Sequence, residues 1–207
     1  MINSPFSASI LVFLKYPKPG SVKTRLAKSI GDEEAARLYR SWIEKVFSVV
    51  SPLRREGFRV IGYVTGAGIE KFLEWNGWVD EFLTQPEGDL GHRLAWGFDR
   101  AIERNIFAIG TDCLELTANH FRDAQEMLKT HDVVFGPTTD GGYYLVGCSG
   151  PCRSGLFENV RWSSEHTLAD QIEQCRKLGR SFQLLPMLSD IDTWDDLQKL
   201  QNADRPK

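Results

Sequence analysis

The feature that most constrains this chain is an alternation: short unbroken apolar runs are followed, again and again, by longer stretches whose apolar residues recur every three or four positions. Ser9–Tyr16 (SILVFLKY) is the first such run, closed by Pro17, Pro19 and Gly20, and reads as a strand buried on both faces. After Gly31 and Asp32, the residues Leu38, Tyr39, Trp42, Ile43, Val46, Phe47 and Val50 share one side of a helix that stops at Pro52. Phe58–Thr65 and Val79–Thr84 are predicted strands with a helix over Ile69–Trp75 between them. Leu90–Arg104 predicts a helix burying Leu94, Phe98, Ala101 and Ile102, and Asn105–Gly110 a central strand.

The second half continues the pattern. Thr117 can cap a helix that buries Phe121, Ala124, Met127 and Leu128, and strands Asp132–Gly136 and Tyr143–Gly147 flank a turn at Gly141-Gly142. Ser163 or Ser164 can cap a helix with Leu168, Ile172 and Cys175 inward, Phe182–Leu185 is the last strand, and Thr193 with Asp196 has capping-box spacing before a short final helix. Strands joined by crossover helices imply an α/β fold: a mostly parallel, mixed sheet with helices on both faces. The 207 residues suit one domain, 1–207.

The same inspection excludes several classes. The longest strongly apolar stretch, Ile10–Leu14, is far short of the roughly 20 residues of a membrane span, and the first fourteen residues carry no Lys or Arg, so a cytoplasmic protein is expected. Of Cys113, Cys148, Cys152 and Cys175, none form a C-x-x-C pair, which leaves small buried thiols, with a Cys148–Cys152 bridge only in an oxidising compartment. The histidines have no H-x-x-x-H spacing, and no serine sits in a nucleophile elbow.

Charge is unevenly placed. Residues 1–31 hold five bases (Lys15, Lys18, Lys23, Arg25, Lys28) and no acid, so with a whole-chain net of −3 the rest of the chain carries −8. A local anion site on an acidic body suits a compact polyphosphate and not a nucleic-acid backbone.

In such sheets ligands bind beyond the carboxyl ends of the strands, so the polar residues after each apolar run carry the functional information. After the first strand come Gly20-Ser21-Val22-Lys23-Thr24-Arg25, a glycine turn with a point charge and a guanidinium fork, fit to cradle an anion. It is not a Walker A loop, because Pro17 and Val22 stand where glycines would be required. Later strand ends deliver Asp112, Asp140 and Asp192; converging carboxylates hold Mg²⁺ or Mn²⁺ together with substrate phosphates. Each also has a plain structural reading: Asp112 and Asp140 as turn residues, Asp192 as the cap of the final helix. Gly88-Asp89-Leu90-Gly91-His92-Arg93 can read a base or ribose or can simply cap a helix, and Trp162 offers an aromatic platform or a core contact.

The segments KYPKPGSVKTRL, GDLGHRL, IGTDCLEL, GPTTDGGYYLVG, RWSS and DIDTWDDL, in that order, resemble a family of small bacterial glycosyltransferase-A-like proteins. These are of the radical-SAM/selenodomain-associated transferase type, related to 2-phospholactate and molybdenum-cofactor guanylyltransferases. The resemblance implies a nucleotide-diphospho-sugar transferase fold. It implies phosphates on Lys23 and Arg25, a metal at Asp112 and Asp192, and an acceptor side at Asp140, Gly141 and Gly142. From the residues themselves the nucleotide is expected to extend over Gly20, Gly88, Asp89 and Arg93 and the acceptor side over Tyr143 and Trp162, with Asp140 as general base or acceptor-orienting group and Lys23 and Arg25 assisting catalysis. Cys113 and Leu114 follow Asp112 where a D-x-D motif would place its second acid, so any metal would be shared with a distant carboxylate. The expected activity is transfer from a nucleotide diphospho-sugar to a small-molecule acceptor. The alternatives are a nucleotidyltransferase joining a nucleoside triphosphate to a phosphorylated acceptor with release of pyrophosphate, or a nucleotide-binding protein without turnover.

Overall fold

A computed structural model describes residues 5–150 and 155–203. Its strands are β1 (Ala8–Lys15), β2 (Phe58–Thr65), β3 (Glu81–Thr84), β4 (Asn105–Ile109), β5 (Val133–Pro137), β6 (Tyr143–Ser149) and β7 (Phe182–Leu184). The helices are α1 (Thr24–Ile30), α2 (Asp32–Val50), α3 (Leu90–Arg100), α4 (Ala118–Met127), α5 (Thr167–Lys177) and α6 (Trp194–Ala203). The strands form one sheet in the order β3-β2-β1-β4-β6-β5-β7. Every neighbouring pair is parallel except those of β6, which runs antiparallel to both β4 and β5.

β1 shows how the apolar runs are used. Successive side chains of a strand point to opposite faces, so Ala8, Ile10, Val12 and Leu14 enter a core under α1, α2, α4 and α6. Leu11 and Phe13 enter a second core under α3 and α5. Helices on both faces are therefore required by the sequence of β1, and the expected fold class is the one observed. Among the described residues no helix is long and apolar enough to cross a membrane.

Several expectations need correction. α1 was not foreseen: its seven residues include the basic pair's Arg25 and bury only Leu26, too little pattern to register as periodicity. The stretch Ile69–Trp75 is a 3-10 helix, and β3 starts at Glu81 because Asp80 spends its carboxylate on the Val60 N–H. α3 stops at Arg100, since Ala101 is extended, and Ile102 is 56% exposed instead of inward. α5 is capped by neither Ser163 nor Ser164 and begins after His166. Its inward side carries Gln171 and Gln174, whose amides donate to the Leu156 and Gly155 carbonyls at 2.6 and 2.7 Å. These two bonds satisfy a buried backbone turn, which is why glutamines occupy a core face. The Thr117 cap of α4 and the Thr193/Asp196 capping box of α6 are present as expected. Cys113 is buried, and the Cys148–Cys152 spacing falls outside the described residues at Cys152.

At Gly62 in β2 an added methyl group would overlap the Phe82 ring, whereas at Gly77 it would meet nothing within 4 Å. Gly62→Ala should lower stability by about 1–3 kcal/mol through overpacking, and Gly77→Ala should stay within about 0.5 kcal/mol of the parent. Urea unfolding midpoints of the two variants measure the difference.

Candidate functional site

The site lies at the carboxyl ends of β1 and β4. Beyond β1 the chain turns at Gly20 in the left-handed region (φ +73°), which glycine adopts freely. The Lys15 ammonium fastens this turn by donating to the Ser21 carbonyl at 2.8 Å. Lys23 follows with φ +45°, a left-handed conformation that costs a non-glycine residue about 1 kcal/mol or more.

That strained backbone aims the Lys23 side chain inward, where it is 6% exposed. Its ammonium donates to the Ile191 carbonyl at 2.7 Å and Asp192 Oδ1 at 2.8 Å, and lies 3.1 Å from Asp112 Oδ1. The Trp42 ring is 5.4 Å away. All three ammonium hydrogens have partners. Burial alone would push Lys23 down, but the two carboxylates outweigh it and hold the lysine above its ordinary value. Arg25 is the contrasting cation: its side chain is 74% exposed and only approaches Asp192 Oδ2, at 3.7 Å.

The strand ends are tied together by the Ile191 N–H, which donates to the Asp112 carbonyl at 3.1 Å. Asp112 buries Oδ1, the oxygen that faces the Lys23 ammonium. Burial, first, holds its carboxyl above the usual carboxylate range despite the Lys23 charge. Tyr39 of α2 closes the floor. Its hydroxyl oxygen accepts from the Lys15 N–H at 3.2 Å and shares a 3.0 Å bond with Thr111 Oγ1. One hydroxyl hydrogen fills the shared bond, so the Tyr39–Thr111 pair keeps one to donate elsewhere.

Two hollows meet at Asp112. One, of about 310 Å³, is polar and lined by Lys15, Lys23, Arg25, Tyr39, Asp112 and Asp192. The other, of about 170 Å³, is largely apolar, with Phe13, Leu94, Ile109, Tyr143 and Tyr144 around Asp112 and Asp190.

The remaining sequence-predicted residues fall elsewhere. Asp140 accepts from Thr138 Oγ1 at 2.6 Å and from the Gly142 N–H at 3.0 Å, which is the turn-former role. Gly141 (φ +87°) presses against the Glu165 backbone, where no side chain fits. The Tyr143 ring lines the apolar hollow, but its hydroxyl donates to Gln171 Oε1 at 3.1 Å. Asp89 caps α3 by accepting the His92 N–H at 2.8 Å, with Gly88 against the His92 ring. Arg93 reaches toward Gln85 Oε1 at 3.4 Å. Trp162 covers Gly91 and, with Asp89, lines a third hollow that includes neither Lys23 nor Asp112. The structure thus brings Lys23, Arg25, Asp112 and Asp192 together, and sets Asp89 and Trp162 apart with each other.

Two residues were missed. Tyr39 reads as one more apolar-face residue of α2, and nothing in the periodicity marks its hydroxyl. Asp190 had a signal: in an extended segment residues two apart share a side, so with Ile191 buried at 2% both Asp190 and Asp192 face away from the core. Asp192 is neutralised by Lys23, whereas Asp190 is raised to about 7 by burial and then by Asp112 and Asp140.

The family whose model matches residues 49–164 is described as "Uncharacterized protein conserved in bacteria (DUF2064)". No curated protein matches the chain. Among solved structures, a protein from Desulfovibrio desulfuricans G20, whose name provisionally assigns it to the nucleotide-diphospho-sugar transferases, superposes with a TM-score of 0.86 at 27% identity. The match covers 98% of this chain and 89% of that one. The 4-diphosphocytidyl-2C-methyl-D-erythritol synthase of Anaerococcus prevotii DSM 20548 gives 0.61 at 9% identity, covering 97% and 99% of the two chains. A CMP:2-keto-3-deoxy-manno-octonic acid synthetase complexed with CTP gives 0.58 at 10%, covering 95% and 98%. The last two likenesses concern the fold.

Because the folded state holds the Asp190 proton up to pH about 7, against an ordinary value of 3.8, the unfolded chain loses it first as pH rises. Asp190 therefore removes stability progressively between about pH 4 and 7 and contributes nothing below both values. Asp190→Asn should be more stable than the parent at pH 8, by on the order of 1–2 kcal/mol after allowance for solvent, and equal to it near pH 3. Thermal unfolding across pH, with chelator present, measures this.

Proposed function

The chain belongs to the DUF2064 family, and on that premise we propose that it is a transferase acting on a nucleotide-activated substrate, with a nucleotide diphospho-sugar as donor. One observation carries this reading: Asp112, at the end of the central strand β4, lines both the cationic hollow and the apolar one. A donor whose phosphates lie by Arg25 and Lys15 would meet an acceptor at Asp112, which is the positioning that transfer chemistry needs. The likeness to the Desulfovibrio protein, over almost the whole of both chains, supports the same kind of substrate.

The roles follow from where each charge is spent. Arg25 is exposed and can take a phosphate through its fork, whereas Lys23 already serves two carboxylates and acts by keeping Asp112 and Asp192 close. The Tyr39–Thr111 hydroxyl pair supplies a further donor toward the polar hollow. Among the described residues no three His, Cys, Asp or Glu side chains gather at metal-ligand spacing. The hard oxygens of Asp112, whose Oδ1 faces the Lys23 ammonium at 3.1 Å, nonetheless suit Mg²⁺ or Mn²⁺ held jointly by one carboxylate and the substrate's phosphates. Such an ion would supply neutralisation of charge on the departing diphosphate. Asp192, on the far side of the Lys23 ammonium, balances that lysine.

In the transfer itself the acceptor oxygen bonds to the anomeric carbon. The bond from that carbon to the diphosphate breaks, and its electron pair leaves with the nucleoside diphosphate. The acceptor's proton passes to a carboxylate. Asp140 is engaged in its turn, so Asp190, inside the apolar hollow, is the base in this reading.

Nucleotidyl transfer is the second reading, favoured by the fold likeness to two cytidylyl-type enzymes. It uses the same polar hollow and releases pyrophosphate from a nucleoside triphosphate.

Thermal stabilisation by nucleoside triphosphates and nucleotide diphospho-sugars, each with Mg²⁺, Mn²⁺ or chelator, separates the two. A ligand at about 100 times its dissociation constant should add about 2.7 kcal/mol, and the proposal expects this for diphospho-sugars; a response confined to triphosphates favours the second reading. Arg25→Ala should weaken the response about tenfold or more, and Asp112→Ala should reduce turnover at least a hundredfold. Full turnover by Asp112→Ala would overturn its role.

A further inference from the structure

The apolar hollow between the ends of β4 and β6 is more selective than a generic cleft. Its walls are aromatic and aliphatic, and Leu90, 41% exposed at the start of α3, adds an apolar rim. Its polar end is closed by two carboxylates, Asp112 and Asp190. The two hydroxyls of the β6 wall, those of Tyr143 and Tyr144, have already committed their hydrogens, to Gln171 Oε1 and to the Pro186 carbonyl, each at 3.1 Å. At about 170 Å³ the space is close to the roughly 150 Å³ that holds a single benzene ring in an engineered cavity.

Each property excludes a class of occupant. A polyhydroxylated sugar would turn hydroxyls toward side chains that cannot bond them, and each unpaired buried hydroxyl costs about 1–3 kcal/mol. A phosphorylated acceptor would bring its charge against Asp112 and Asp190 with the nearest ammonium, Lys23, already shared between two carboxylates. A compact apolar molecule with one hydroxyl satisfies both constraints: its body fills the walls and its hydroxyl meets the carboxylates.

Resting on the functional reading above, we propose that this hollow is the acceptor site and that it selects a compact, uncharged apolar alcohol about the size of one six-membered ring. The nucleotide stays in the polar hollow on the β1 side. Gly110 offers a clean test, because it lines the hollow and an added Cβ there meets nothing within 4 Å. The Cβ of a larger side chain at 110 therefore meets open space.

The experiment measures benzyl alcohol, glucose and benzyl phosphate by saturation-transfer NMR, alongside thermal shifts with UDP, GDP, CDP and ADP. Saturable binding of benzyl alcohol is expected, at least tenfold tighter than glucose or benzyl phosphate. Gly110→Leu should weaken benzyl alcohol at least tenfold and leave nucleotide shifts within twofold in affinity. Leu90→Asn, at the exposed rim, should weaken it severalfold and guards against misfolding of the first variant. Glucose or benzyl phosphate binding as tightly as benzyl alcohol overturns the inference, as does loss of nucleotide binding in Gly110→Leu, which would place the nucleobase in this hollow. Silence of benzyl alcohol with nucleotide binding intact fails this inference alone; silence of every nucleotide fails the donor reading.

Discussion

One ammonium group holds the site together. Lys23 reaches from a left-handed backbone position to bridge the end of β4, through Asp112, and the segment before α6, through Ile191 and Asp192. Three parts of the chain, distant in sequence, meet at that one charge, and the Ile191 N–H to Asp112 carbonyl bond ties two of them further. Without that charge Asp112 and Asp192 would repel each other, beside Asp190, which burial first and then its acidic neighbours raise to about 7. The backbone strain at residue 23 persists because these partners over-determine it.

The division of labour between the two cations follows. A buried lysine with every hydrogen engaged is a structural charge: it sets the local potential but has no hydrogen left for a ligand. An exposed guanidinium a single turn away is an available one. The two bases two residues apart in sequence are therefore different in kind, and burial is what separates them.

Much of the fold was legible because both cores are built from repeating apolar patterns: β1 alternates between the two cores, and α2 presents a full apolar face. What escaped lacks such a pattern. α1 is too short to show a period, and on α5, where Leu168 and Cys175 turn inward as expected, no pattern marks the two glutamines that join them to bond the Leu156 and Gly155 carbonyls. In the site, the strand-end rule located Asp112, Asp192, Lys23 and Arg25 together. It also attracted Asp140, whose carboxylate is spent on its own turn, while Asp89 takes the helix-capping role that stood beside its ligand reading. A short acid next to a turn or a helix start looks the same in sequence whether it faces a ligand or its own amides. Tyr39 went unnoticed for the opposite reason, because its significance lies in partners that only the fold supplies.

The β5–β6 hairpin has a mechanical meaning beyond its place in the sheet. β6 is the reversed strand, so its turn stands at the same end as the parallel strands' carboxyl termini and leads directly into Tyr143 and Tyr144, which line the apolar hollow. Gly141 sits in backbone-to-backbone contact with Glu165, and its carbonyl accepts the Leu168 N–H at 3.0 Å. That turn is thus joined to the first turn of α5 by main chain. The strand that carries Tyr143 and Tyr144 is thereby moored just before it enters the hollow, and a helix on the flank of the sheet sets where that wall begins.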